Sequence, residues 1–238
     1  MNGSMTDIPV AGGGTFPGYL AAPASLRGPG LLVLPDIYNM TPYIKTVADD
    51  FAAEGYLALV PDLFWRIRPG IGLAWGDPGR AEGRAYSAQL DIDRLVGDLD
   101  AAASFLRAHA GSTGRVGCMG YCLGGRLACL LAARTGIDAA VGYYAVDLDQ
   151  HLAEIAATTR PLLLHFGALD GRVPLDLVDR VRAAARDRPN IAIHVYDGAG
   201  HGFSRKDIPP HHPDAARLAH QRTLDLLRDA LGPAARGH

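Results

Sequence analysis

The chain predicts an α/β architecture, a mostly parallel sheet with helices on both faces. Two observations carry this. Short apolar runs alternate with longer segments of helical period, and the runs are apolar throughout rather than at alternate positions, as strands buried on both faces require. With 238 residues, 48% hydrophobic and 20% charged, the chain is long enough for one large core, so a single domain over 1–238 is expected.

The elements follow in order. Strands are expected at Leu31 to Leu34, Tyr56 to Val60, Arg115 to Met119, Ala139 to Tyr143, Pro161 to Phe166 and Ile191 to Tyr196. Between the first two lies a marked helix, with Thr41 as N-cap, Pro42 at the first helical position, Ile44, Val47, Ala48 and Phe51 on one face, and Gly55 as the stop. Further helices follow Tyr86, Leu123, Pro174 and Pro213, the last closing the domain. Residues 64 to 80, rich in Gly, Pro and Trp, read as one long loop, either a rim of the active site or ordered surface. Ser204 to Pro213 reads as a second loop, and the tail from Pro233 to His238 as frayed.

Several function classes are excluded by composition. A net charge of −2 points to neither a nucleic-acid partner nor an anionic membrane surface. No apolar run reaches the roughly 18 residues that span a bilayer, and Met1-Asn2-Gly3-Ser4 does not open a signal peptide, so the expected compartment is the cytoplasm. Cys118, Cys122 and Cys129 are odd in number and clustered, which is no disulfide framework, and their spacing matches no common zinc pattern. Cys118 and Cys129 are expected to be packed inside the strand and helix that flank Cys122.

Cys122 is the informative one. It sits in Val116-Gly117-Cys118-Met119-Gly120-Tyr121-Cys122-Leu123-Gly124-Gly125, an apolar strand that reverses through Gly-x-Cys-x-Gly into a helix. That is a nucleophile elbow carrying sulfur. Small neighbours are needed because the reversal crowds the backbone and holds the central residue in a strained conformation. The helix starting at Leu123 aims its free N–H groups at the sulfur, which favours the thiolate.

A thiol so displayed needs a base, and the base needs a group to fix its tautomer. In a doubly wound sheet both belong on loops at the carboxyl ends of later strands. His201 lies between glycines in the loop after Tyr196, leaving its ring room to swing. Asp170 lies in the loop after Phe166, although an Asp before Gly is commonly a turn residue. Asp147 is the rival acid. His165 and His194 fall inside strands and read as core or face residues. The order nucleophile, acid, histidine is that of α/β-hydrolases.

Gly-Tyr-Cys-Leu-Gly-Gly, Leu-Asp-Gly-x-Val-Pro and Gly-Ala-Gly-His-Gly-Phe, in this order, resemble the dienelactone hydrolase family, with Pro61-Asp62-Leu63 and Gly97-Asp98-Leu99 extending the likeness over nearly the whole chain. The resemblance implies an α/β-hydrolase fold without cofactor or metal, with Cys122 as nucleophile, Asp170 as acid and His201 as base, opening a conjugated enol-lactone in the breakdown of aromatic compounds. It also implies a small-molecule lactone or ester, carboxylated or neutral, as the only partner; a monomer is expected.

The oxyanion hole follows from the elbow itself. One donor is the N–H of Leu123, directly after the nucleophile, and the other comes from the loop after Leu34, near Ile37. At Asp36 the resembling family has a glutamate that contacts the resting thiol; the shorter carboxylate here leaves open whether Asp36 gates the thiol or accepts backbone hydrogen bonds. By the same resemblance Arg205 holds a substrate carboxylate, with Arg80 or Arg84 as a second arginine, a role suited to the guanidinium fork. Tyr38, Tyr86, Tyr121, Tyr144 and Trp65 are candidate wall residues. The competing functions are a thioesterase or general carboxylesterase on the same fold and, more remotely, a cysteine amidotransferase or a binding module. Amidotransferases look like they require His-x-Glu, whereas His201 is followed by Gly202-Phe203.

Overall fold

The computed structural model describes residues 3–10, 12–206, 208–209 and 211–232; the tail from Pro233 lies outside them. Two compact units divide the chain, the first running to Gly117 and the second from Cys118 to Leu231.

In the first unit the strands follow the order β1 (Ser4–Pro9), β2 (Thr15–Ala21), β4 (Leu57–Pro61), β3 (Gly28–Leu34). β2 is antiparallel to β1 and β4, while β3 and β4 are parallel. Every residue of β3 and β4 is buried, so both faces are covered, and α1 (Pro42–Ala53) and α3 (Ile92–Ala108) pack against them. α1 starts as its sequence demands: Thr41 Oγ1 accepts the Ile44 N–H at 3.3 Å, Pro42 follows, and Gly55 takes φ +99° after the last turn.

The hairpin of β1 and β2 is not among the strands expected from sequence. In β1 only Ile8 is buried, so its pattern carries no apolar run. The segment read as one loop over 64 to 80 is also different: α2 (Asp77–Ser87) begins inside it. This helix has no apolar stripe because its packed face is made of glycine. A Cβ on Gly79 would lie 1.9 Å from Ala74 O, and one on Gly83 would lie 2.4 Å from Ile37 O. The preceding stretch is stapled by two buried carboxylates. Asp62 accepts from Asn39 Nδ2 at 2.6 Å, Phe64 N at 2.9 Å and Gly70 N at 2.6 Å. Asp98 accepts from Trp65 Nε1 at 3.1 Å and from Arg66 at 2.8 and 2.7 Å. The motifs Pro-Asp-Leu and Gly-Asp-Leu therefore anchor a loop rather than supply chemistry, and Trp65 stacks on Phe16.

The second unit opens with the end of β5 (Ser112–Tyr121) and continues through α4 (Leu123–Arg134), β6 (Ala139–Tyr143), a 3-10 turn over Leu148–His151, α5 (Leu152–Ala157), β7 (Leu162–Gly167), α6 (Leu175–Ala184), β8 (Ile191–Tyr196) and α7 (Pro213–Leu231). β6, β7 and β8 are parallel neighbours. β6 and β7 are buried along their whole length, but β8, at the end of the order, is half-exposed up to Val195. Its apolar run reflects β-propensity at a sheet edge, not burial on both faces. Parallel strands place the loops after β6, β7 and β8 at one end of the unit.

Candidate active site

Cys122 stands between β5 and α4 with φ 55° and ψ −109°. For a residue with a Cβ this geometry costs about 1–3 kcal/mol and persists only where its surroundings enforce it. Those surroundings are visible. Cys122 N donates to Tyr143 O at 2.9 Å, and Cys122 O accepts from Arg126 N at 3.1 Å and Val146 N at 3.4 Å. The flanking glycines are obligatory: a Cβ on Gly120 would sit 2.1 Å from Gly124 O, and one on Gly125 would sit 2.9 Å from Tyr143 O. Cys122 retains 7% exposure, while Cys118 and Cys129 have none. The elbow thus presents sulfur to a neighbour rather than to open solvent. Burial raises the Cys118 thiol and pushes Cys129 up to about 12, leaving both inert.

That neighbour is His201. Its Nδ1 lies 2.8 Å from Asp170 Oδ2, and Cys122 forms the other hydrogen bond to the ring, which leaves Nε2 for the sulfur. Asp170 has a fully buried side chain. Its second oxygen accepts Arg172 N at 2.8 Å and Val173 N at 3.1 Å, charge-assisted bonds that hold the carboxylate in place. The loops carrying acid and base touch directly. Leu169 N donates to Ala199 O at 2.8 Å and Ala168 N to Tyr196 O at 2.9 Å, and a Cβ on Gly167 would fall 2.3 Å from Ala199 O. Burial by itself lowers the basicity of the His201 ring, but hydrogen bonds to Asp170 and Cys122 and the electrostatic pull of the same two side chains outweigh it and push the pKa up to about 9. The ring thus lies between a buried carboxylate on one side and the Cys122 sulfur on the other.

Asp147 is not the partner of His201. It lies in the left-handed region at φ 56° and pairs with Arg126 at 2.8 Å, tying the loop after β6 to the first turns of α4. Tyr144 ends 4.9 Å from the His201 ring, centroid to centroid, and its hydroxyl lies 3.1 Å from Ser204 Oγ. Ser204 escaped sequence reasoning, which had no signal for it beyond its distance of three residues from His201. Tyr121 packs on Tyr143 and Tyr144. Arg205, one position further on, is buried, and its N–H closes a turn onto Gly202 O at 2.9 Å.

The remaining candidates belong to the first unit. Asp36 Oδ1 accepts Tyr38 N at 2.8 Å, the turn role that the sequence left open beside gating, and Ile37 is packed against Gly83 of α2. Tyr38 packs against Trp75 with ring centroids 4.9 Å apart, the rings tilted by 38°. Arg80 hydrogen-bonds Tyr38 and pairs with Asp77 at 2.8 Å. Arg84 is exposed on α2, and Tyr86 rests on Phe64.

A model of the dienelactone hydrolase family matches residues 16–231. Over 217 residues the chain is 35% identical to a carboxymethylenebutenolidase of Pseudomonas putida, covering 90% of this chain and 92% of that protein. Over 224 residues it is 33% identical to a Bradyrhizobium protein assigned as a 2-oxo-3-(5-oxofuran-2-ylidene)propanoate lactonase, covering 88% of each. Among solved structures, one from Klebsiella pneumoniae assigned to the dienelactone hydrolases superposes with a TM-score of 0.82 at 28% identity, covering 94% of this chain and 97% of that one.

Proposed function

Because the chain belongs to the dienelactone hydrolase family, and is a hydrolase with the α/β-hydrolase fold of that family, we propose that it opens a lactone or activated ester through a thioester on Cys122. The observation that carries this reading is His201, bound on one side to Asp170 at 2.8 Å and on the other to the strained Cys122.

Asp170 holds the proton of His201 on Nδ1, so Nε2 handles the proton that moves during reaction. The Cys122 thiolate adds to the carbonyl carbon, and the Leu123 N–H, the first amide of α4, receives the developing oxyanion. Collapse breaks the ring C–O bond, and imidazolium protonates the departing oxygen. Neutral His201 then takes a proton from water; the hydroxide attacks the thioester carbon, Cys122 leaves as thiolate beside the re-formed imidazolium, and the carboxylic acid released gives up its proton to solvent. Net, one water is consumed per ring opened.

The substrate class draws on the relatives: the names of the Pseudomonas and Bradyrhizobium proteins specify unsaturated lactones bearing a carboxyl group. Arg205, in the loop of His201, is the cation proposed to hold that group. The test compares kcat/KM for a carboxylated enol-lactone and a neutral aryl ester, in wild type and Arg205→Ala. Loss of a charge-assisted contact worth roughly 1.5–3 kcal/mol should cost the charged substrate about ten- to a hundred-fold more than the neutral one. Equal losses would make Arg205 structural. A wild-type preference for the neutral ester would replace the lactone reading with that of a general carboxylesterase.

A further inference from the structure

Tyr143 and Tyr196 end β6 and β8, and His165 lies two residues before the end of β7; the carbonyl groups of these three residues hold the candidate site. Tyr143 O accepts Cys122 N at 2.9 Å, and His165 O accepts Tyr144 N at 2.7 Å. Tyr196 O accepts Ala168 N at 2.9 Å and Ala199 N at 3.3 Å. These N–H groups belong to the nucleophile, to the ring beside His201, and to the loops that carry Asp170 and His201.

The side chains of the same three residues are joined below. Tyr196 Oη lies 2.8 Å from His165 Nδ1, His165 Nε2 lies 3.2 Å from Thr223 Oγ1, and Thr223 Oγ1 lies 2.7 Å from Tyr143 Oη. His165 and Thr223 are wholly buried. Arg222 Nη1 donates to Tyr196 Oη at 3.1 Å, so the tyrosine directs its own proton at His165 Nδ1 and the imidazole keeps its proton on Nε2 to donate to Thr223. Burial, and then the charges of His194 and Arg222, hold His165 well below the ordinary imidazole range, and the ring is neutral, as this one-donor, one-acceptor arrangement requires. Apolar side chains of similar shape would pack these strands without desolvating polar groups; directed hydrogen bonds add a fixed orientation that apolar packing lacks.

We infer that His165 and Thr223 are positioning residues for the Cys122–His201–Asp170 group, locking β6, β7 and β8 together so that the Cys122 elbow, bonded to Tyr143 O, and the loops of Asp170 and His201 meet at reactive distance. This inference rests on the triad reading. Thr223→Val keeps the shape and removes the hydroxyl that His165 and Tyr143 share. It should lower kcat about ten- to a hundred-fold, the scale of a small misplacement of reacting groups, leave KM within about two-fold, and slow alkylation of Cys122 by iodoacetamide. Thr223→Ser should restore both rates. If Thr223→Val does not fold, Tyr196→Phe, which removes the other partner of His165, should show the same split. A lowered melting temperature with wild-type kcat and alkylation would overturn the inference, as would failure of serine to restore them. Cys122→Ala separates the two levels: turnover surviving in that variant sinks the triad reading, whereas a dead Cys122→Ala beside a fully active Thr223→Val sinks only the network.

Discussion

At the scale of single residues, the acid is the position where sequence was ambiguous and geometry decides. Asp170 and Asp147 both follow strands, and only tertiary contacts distinguish them: Asp170 meets His201 at 2.8 Å, Asp147 meets Arg126 at 2.8 Å. Asp170→Asn should lower kcat about 10³- to 10⁴-fold, since an amide favours the wrong tautomer of the base; Asp147→Asn should cost less than ten-fold. Steady-state kinetics that reverse this order would return the role to Asp147. Cys122 and His201 were legible because each sits among glycines straight after an apolar strand. His165 was legible only as a core residue, for its partners Thr223 and Tyr196 are brought to it by folding from 58 and 31 positions away. His201 also sets a pH dependence. Its contacts push its pKa up to about 9 from the ordinary imidazole value of about 6.5, so its stabilisation is fully present below about pH 6.5 and is lost as pH rises through 9. The melting temperature of wild type should fall by several degrees across that window, and that of His201→Gln should fall less, as read by circular dichroism.

Among elements, the contact between the loops after β7 and β8 sets the distance from acid to base. Gly167 makes that contact possible, as any Cβ there would strike Ala199 O at 2.3 Å and Gly200 O at 3.0 Å. Gly167→Ala should therefore push the His201 loop away, lowering kcat about a hundred-fold and stability by about 1–3 kcal/mol. Gly171→Ala, next to Asp170 but with nothing within 4 Å of the added carbon, should stay within two-fold of wild type; equal effects of the two would show that crowding at Gly167 does not govern the site. The strands from β3 to β8 were readable because their apolar runs are wholly buried or, in β8, β-branched. The hairpin of β1 and β2 and helix α2 were not, since the first buries a single side chain of β1 and the second packs through Gly79 and Gly83, residues that carry no periodic signal.

For the molecule as a whole, the family match runs from 16 to 231, and the chemistry proposed for it rests on the contacts of His201 with Asp170 and Cys122. Among the described residues no helix is long and apolar enough to cross a membrane. The central claim is that sulfur, not water, first attacks the carbonyl. Replacing Cys122 by alanine removes the nucleophile while leaving Asp170 and His201 in place, so general-base hydrolysis by water would survive and thioester catalysis would not. The most direct measurement is kcat for Cys122→Ala on the carboxylated lactone that wild type opens fastest. The account predicts a fall of at least about 10³-fold; turnover within ten-fold of wild type would contradict it.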